Sequence, residues 1–376
     1  MGYRQSAMES VGLMSIRTKL TETYDGRTVL ITGHTGFKGG WLALLLESLG
    51  AKVIGYSLDP PTHPSFFQET GLSQKITDLR GDVRKFNTIS EVVRKYQPDF
   101  VFHLAAQPLV RASYKTPRDT FDINVMGTTN VLEVIRLSGK PTICVCITSD
   151  KCYENKEWDY AYRENDPMGG HDPYSASKGA AEIVIASYWK SFFESDGSVT
   201  ALSSVRAGNV IGGGDWAEGR IVPDCIRSLV NGETIKIRNP SAVRPWQFVL
   251  DPLFGYLWLA LKMKEHPEKY SGAWNFGPDY SNNVDVQTLA EKIVHAWGSG
   301  TWEQTPQTNS PHEAGFLKLD IAKSVTKLGW KPVYGIDEAI QKTVVWYKND
   351  YSKSYDMYAF SRKQIETFMH DVERLV

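Results

Sequence analysis

The chain has 376 residues, 41% of them hydrophobic and 12% aromatic, which is enough to build a large core in two lobes. A formal net charge of −1 provides no broad field to gather nucleic acid or an anionic membrane, so an anionic ligand must be met by locally placed arginines and lysines. The four cysteines, Cys144, Cys146, Cys152 and Cys225, lack metal-ligand or disulfide-framework spacing. No apolar run approaches the ~20 residues of a spanning helix. A soluble, cytoplasmic protein with reduced cysteines and no bound metal is expected.

Residues 1–24 are polar and aperiodic and read as an extension outside the core. From Val29 an apolar run leads into a glycine-rich turn and then an apolar helical pattern ending near Gly50. Gly33, Gly36 and Gly39 are spaced GxxGxxG. Such a turn lets the backbone approach a pyrophosphate and presents helix N-terminal N–H groups to it. His34, Phe37 and Lys38 fill the turn between these glycines. A second strand over residues 51–58 brings Ser57 to its tip and Asp59 near the place of a ribose-binding acid, ~20 residues after the last glycine. Asp82 and Val83 follow, then a helix over 89–96. An apolar strand over 100–106 ends in the small residues Ala105 and Ala106 after Leu104, with Gln107 next, leaving room for a planar ligand. A helix over 124–137 opens on Asn124 and leads to a strand over 142–147. Strands and helices alternating every ~25–30 residues predict an α/β fold with a doubly wound parallel sheet, with ligands at the strands' carboxyl ends.

The strand ending at Ile147 is followed by Ser149, Asp150 and Lys151, and 25 residues beyond Ser149 stands Tyr174, with Lys178 four residues later. Residues at i and i+4 share a helix face, so the Lys178 ammonium can favour a Tyr174 phenolate able to deprotonate a substrate hydroxyl, while Ser149 holds the same oxygen. After residue 206 the βα rhythm fades into a glycine-rich loop and an Arg-, Trp- and Pro-rich remainder. Arg206, Arg220 and Arg244 offer planar forks of donors to an anionic ligand, with Arg206 equally open to a structural role; Asn209 and Arg111 are further polar candidates.

Thr32-Gly-His-Thr-Gly-Phe-Lys-Gly39, Leu104-Ala-Ala-Gln107, Asn124 and Tyr174-x-x-x-Lys178 together resemble the extended short-chain dehydrogenases/reductases. The longer segments Thr148-Ser-Asp-Lys-Cys-Tyr-Glu-Asn155, Arg206-Ala-Gly-Asn-Val-Ile-Gly-Gly-Gly-Asp-Trp216, Arg244-Pro-Trp246 and His312-Glu-Ala314 resemble the nucleotide-sugar 4,6-dehydratases within that family. The resemblance implies a Rossmann-type NAD-binding domain over 25–206, with 243–277 crossing back. It further implies a smaller nucleotide-sugar-binding domain from 207–242 and 278–376. NAD is the implied cofactor and CDP-D-glucose the implied substrate, with Arg206, Arg220 and Arg244 as candidates for its diphosphate, Asn209 and Arg111 for the sugar or its phosphates, and His312 and Glu313 at the nucleotide ribose. A homodimer or dimer of dimers is implied, and a place in the synthesis of the dideoxyhexoses of surface polysaccharide (O-antigen). Related dTDP-glucose enzymes carry an Asp-Glu pair where Asp150 and Lys151 stand. The lysine departs from that pattern, and Asp150 as acid with Lys151 as base is the expectation. A nucleotide-sugar epimerase, a simple dehydrogenase or a non-catalytic NAD-binding regulator of the same fold are the alternatives.

Overall fold

A computed structural model describes residues 15–194, 200–279, 283–305 and 317–375. Its centre is a seven-stranded parallel sheet of β1 (Thr28–Thr32), β2 (Lys52–Ser57), β3 (Thr77–Arg80), β4 (Phe100–His103), β5 (Ile143–Ile147), β6 (Ala201–Ala207) and β10 (Gly272–Phe276). Between β6 and β10 lie β7 (Asn209–Ile211), β8 (Ile235–Ile237) and β9 (Val243–Phe248), and after β10 come β11 (Asn283–Asp285) and β12 (Trp302–Gln304). The strand order is β10-β6-β5-β4-β1-β2-β3.

Continuous apolar runs form these strands because helices cover both faces of the sheet. Alternate side chains of β1 show this directly: Val29 and Ile31 enter one core, Leu30 the other. The first core is closed by helices Phe37–Ser48 and Leu250–Glu265, the second by Phe86–Tyr96, Gly127–Ser138 and Pro173–Tyr188. The order in which successive strands are added reverses between the parallel neighbours β1 and β4, and the crevice above such a switch point is where doubly wound sheets bind ligands.

Strand β4 stops pairing at His103, so Leu104 to Gln107 form a loop rather than the end of a longer strand. Segment 243–277 divides its loyalties. Helix Leu250–Glu265 and β10 complete the main assembly, whereas β9 pairs with β7 and β11 in a separate three-stranded sheet. The two-stranded β8–β12 pair stands apart from both.

The expectation that residues 1–24 stay outside the core fails for the last nine of them. Ile16–Tyr24 is a helix capped by the Ser15 hydroxyl, and Leu20 and Tyr24 are fully buried. Tyr24 donates to the Leu257 carbonyl at 2.8 Å and its ring lies 4.8 Å from that of Phe100. All four cysteines are free and buried.

Candidate active site

The turn after β1 is built on close approach. Gly33 has φ +81°, and a Cβ there would stand 2.7 Å from the Ala105 nitrogen. A Cβ on Gly39 would come within 2.1 Å of the Gly33 carbonyl oxygen, whereas at Gly36 the nearest atom is 3.4 Å away. Helix Phe37–Ser48 begins at Gly36 with no side-chain cap, so its first N–H groups stay available to an anion. This cradle, which two added methyls would fill, fits the diphosphate of a dinucleotide. Thr35 Oγ1 fastens the turn to the tip of β2, lying 2.9 Å from Ser57 Oγ and donating to the Leu58 carbonyl at 3.0 Å.

Four residues expected at the cofactor have partners within the protein. The His34 ring is fully buried under the turn, with Nε2 2.8 Å from Asp78 Oδ1 and its edge against Phe67. Burial lowers its pKa, so a neutral ring shapes the turn from below. Asp59 is 87% exposed and pairs with Arg80 at 3.3 Å, because the rigid proline turn carries it past the strand tip that Ser57 occupies. Asp82 is held by Arg84 at 2.6 Å, and Val83 is buried against Gly127.

Leu104, Ala105, Ala106 and Gln107 border the crevice opposite the turn. The Gln107 N–H donates to Asn124 Oδ1 at 2.8 Å, and Asn124 Nδ2 donates to Ser177 Oγ at 2.8 Å and to the Gln107 carbonyl at 3.2 Å. Asn124 lies in a π-helical turn, Asp122–Met126, that leads into Gly127–Ser138. One buried amide thus joins this loop to the helix bearing Tyr174 and Lys178.

That helix, Pro173–Tyr188, starts on an Asp172 cap and buries both Tyr174 and Lys178. Ser149 ends the loop after β5 and caps a short 3₁₀ turn, accepting from the Lys151 N–H at 3.2 Å and donating to Asp150 Oδ1 at 3.0 Å. It also faces Tyr174 closely enough to act on the phenol. Burial pushes the Tyr174 phenol up to about 12, with Ser149 acting the other way. Burial lowers Lys178 to about 8.

Asp150 is the electrostatic centre. Burial raises the pKa of its carboxyl, opposed by Lys151, by the Ser149 hydrogen bond, and by Lys38 and Arg244. Lys38 is brought down to about 8 by burial and then by Arg220, while Asp150 acts to hold its proton. Cations from the glycine turn, from the 3₁₀ turn and from β9 therefore converge on one buried acid. Lys151 is half-buried and lines a cavity of about 380 Å³ together with Val110, Asn155, His171, Asp172 and Ser175.

Among the phosphate candidates, Arg220 is bound to Asp215 at 2.8 Å and its charge reaches Tyr174. Arg244 donates to the Val243 carbonyl at 2.9 Å, and Asn209 is in register with Trp246 on the neighbouring strand, so both belong to the sheet that flanks the crevice. Arg111 sits in helix Val110–Lys115, next to the cavity-lining Val110. Arg206 is structural: it is 4% exposed and spends its donors on Glu182 (2.8 Å), the Tyr153 hydroxyl (2.6 Å) and the Glu164 carbonyl (3.0 Å). His312 and Glu313 lie outside the described residues. Among the described residues no group of three or more His, Cys, Asp or Glu side chains is placed to hold a metal ion. No helix among them is long and apolar enough to cross a membrane.

Sequence reasoning missed Thr148 and Glu182. Glu182 accepts from the Thr148 hydroxyl, from Ser204 Oγ at 2.7 Å and from Arg206. Its one sequence signal was a charge four residues beyond Lys178 on a helix face that is otherwise buried.

A family model described as GDP-mannose 4,6 dehydratase matches residues 30–343. The chain belongs to this family. Among relatives of this dehydratase family, a CDP-glucose 4,6-dehydratase of Salmonella typhimurium is 45% identical over 93% of this chain and 98% of its own. A CDP-paratose 2-epimerase of Salmonella typhi is 31% identical over 85% of this chain and 98% of its own. A dTDP-glucose 4,6-dehydratase of Streptomyces venezuelae, solved with NAD bound, superposes with a TM-score of 0.72 at 20% identity over 88% of this chain and 99% of its own. An epimerase of Methanothermobacter thermautotrophicus gives 0.76 at 23% identity over 90% and 96%. Dehydratases and epimerases of the family thus share one fold, and the chemistry must be decided by the side chains around Tyr174.

Proposed function

We propose that the protein converts CDP-D-glucose to CDP-4-keto-6-deoxy-D-glucose, with NAD as a cofactor recycled within each turnover. The observation that carries this reading is the buried acid Asp150 immediately beside the Ser149–Tyr174 pair. Oxidation at carbon 4 needs only Tyr174, Ser149 and Lys178, whereas water elimination needs an acid and a base in addition. The 45% identical relative named for this activity supports the same choice. The glycine cradle of Gly33 and Gly39 and the open N–H groups at Phe37 and Lys38 are suited to the NAD diphosphate, with Asn124 steadying the loop of Leu104 to Gln107.

When bound, NAD supplies the acceptor for the carbon 4 hydride and returns that hydride to carbon 6, so no net redox change remains. Tyr174 takes the proton of the carbon 4 hydroxyl while Ser149 holds its oxygen. Lys151, on the cavity wall, takes the proton from carbon 5, which the new ketone has made acidic. Asp150, whose burial favours the protonated carboxyl, gives its proton to the departing carbon 6 hydroxyl, which leaves as water. Arg220 and Arg244 are assigned to the diphosphate, Arg220 exchanging its Asp215 partner for phosphate oxygens.

A cytoplasmic homodimer is part of the same reading. Phe121, Met126 and Leu137 on one stretch and Ile183 and Phe192 on the adjoining helix are large apolar side chains left 39–63% exposed, as an isologous helix-to-helix interface requires. A role in making the dideoxyhexoses of surface polysaccharide follows from the product.

Incubation with CDP-D-glucose tests the reading. A 4-keto-6-deoxy sugar nucleotide without accumulation of reduced cofactor is expected, and an epimerised hexose with both oxygens retained would overturn it in favour of the epimerase class. Lys151→Met is expected to keep carbon 4 oxidation while losing solvent deuterium uptake at carbon 5; unchanged uptake removes Lys151 as the base.

A further inference from the structure

Beneath the reacting groups lies a buried charge cluster in which one member, Glu182, takes no part in the steps above. Tyr174, Lys178 and Glu182 follow one another at four-residue intervals along one helix face. Lys178 and Glu182 are 6% and 4% exposed. Glu182 gathers hydrogen bonds from two other elements: Ser204 and Arg206 on β6, and Thr148 at the end of β5. Thr148 directly precedes Ser149, and its own N–H is fixed to the Val205 carbonyl at 2.9 Å. A single carboxylate therefore ties the helix carrying Tyr174 and Lys178 to the loop carrying Ser149.

We infer that Glu182 is a positioning residue of the oxidation step, which keeps the Lys178 ammonium charged inside the core and sets the Ser149 loop against Tyr174 through Thr148. The inference rests on the functional reading above and assigns a further residue to it.

Titratable groups face Lys178 from several elements. From β4 comes His103, buried between Thr32 and Thr128 and lowered to about 3 by burial, hence neutral. From β5 and the 3₁₀ turn come Cys146 and Cys152, whose thiols are pushed up by a hydrogen bond to Cys144 and by burial in the first case and by burial in the second. From the glycine turn comes Lys38, a like charge. Burial lowers Lys178, and Glu182 is the leading charge acting against it. Glu182 stays ionised because Arg206 and its three hydrogen bonds outweigh its own burial. Without this carboxylate, Lys178 and Arg206 would be two buried cations with no counter-charge between them, and the lysine is the one able to lose its proton.

The sign of the pH effect follows. Turnover needs Lys178 protonated, so it falls as pH rises through the lysine's folded value, which is about 8. Glu182→Gln keeps the shape and most hydrogen bonds but removes the charge, and is expected to move the alkaline limb of kcat down by roughly one pH unit or more, with KM for CDP-D-glucose little changed. Glu182→Asp, a carboxylate withdrawn by one methylene, is expected to shift the limb in the same direction by less than half as much. A uniform loss of rate with the limb unmoved in Glu182→Asp, or in Glu182→Gln where that variant folds, overturns the inference.

A second measurement needs no turnover. In urea unfolding at pH 7, the cycle of Glu182→Gln, Lys178→Met and the double variant is expected to be non-additive, the glutamine costing less once Lys178 is gone. Additive midpoints overturn the coupling whether or not CDP-D-glucose is a substrate. A wild type that makes no keto sugar while the cycle remains non-additive defeats the functional reading and leaves the Glu182–Lys178 coupling standing. Where Glu182→Gln does not fold, the same cycle is run with Glu182→Asp.

Discussion

Tyr174→Phe is expected to lower the rate of carbon 4 oxidation by about 10²–10⁴-fold, the range typical for removing a positioned acid–base group. Removing one oxygen leaves the ring volume in place, and the neighbouring Ser149 keeps its own partner in Asp150 at 3.0 Å. Folding and NAD affinity should therefore change little. The loss should appear in the first half of the reaction, as slow formation of reduced nicotinamide in a single turnover with the wild-type KM. A variant that forms reduced cofactor at the wild-type rate and stalls only at elimination would show that Tyr174 is not the base for the carbon 4 hydroxyl. The result also separates Tyr174 from Lys151, whose replacement is expected to leave the first half intact.

Gly39→Ala is the second large effect, and it acts on binding. The added Cβ would stand 2.1 Å from the Gly33 carbonyl oxygen and 2.9 Å from the His34 Cα, so backbone must move against backbone. Forced insertion of this kind costs about 1–3 kcal/mol, and a turn that relaxes by opening passes that cost to the ligand seated on it. NAD affinity is expected to fall on the order of 10–100-fold, read by titration of the apoprotein. Gly36→Ala makes the comparison informative, since its Cβ meets nothing nearer than 3.4 Å within the protein. An affinity loss at Gly36 then reports crowding against the cofactor itself. Unchanged NAD affinity in Gly39→Ala would remove this turn from the binding site.

Much of this arrangement is legible in the chain because its signals are local. The strand–turn–helix at Val29 to Gly50, the small residues after Phe102, and the Ser149, Tyr174 and Lys178 spacing each depend on residues within one or two elements. What stayed hidden depends on partners far along the chain. His34 is expected at the cofactor, yet its ring is claimed by Asp78, 44 residues on, and packs on Phe67. Arg206 and Arg220 are alike as residue types. Only the tertiary fold decides that one is neutralised by Glu182 in the interior while the other stays at the crevice on Asp215. Helix Ile16–Tyr24 escaped notice because it presents only Leu20, Thr23 and Tyr24 to the core, too sparse a stripe to read as periodic. Asp59 shows the opposite error: its distance from the glycines matched a motif, but the prolines after it redirect the backbone.

Helix Ile16–Tyr24 does more than fill the core beside Phe100. It packs against the final helix, Met357–Leu375, where the Arg17 N–H reaches Glu373 Oε1 at 3.2 Å. The described chain thus closes almost into a ring, its first and last helices side by side. Circular permutation is therefore open to this fold: a short flexible bridge between these helices would let new ends be cut in an exposed loop elsewhere, with the sheet and the Ser149–Tyr174 pair left in their present order in space.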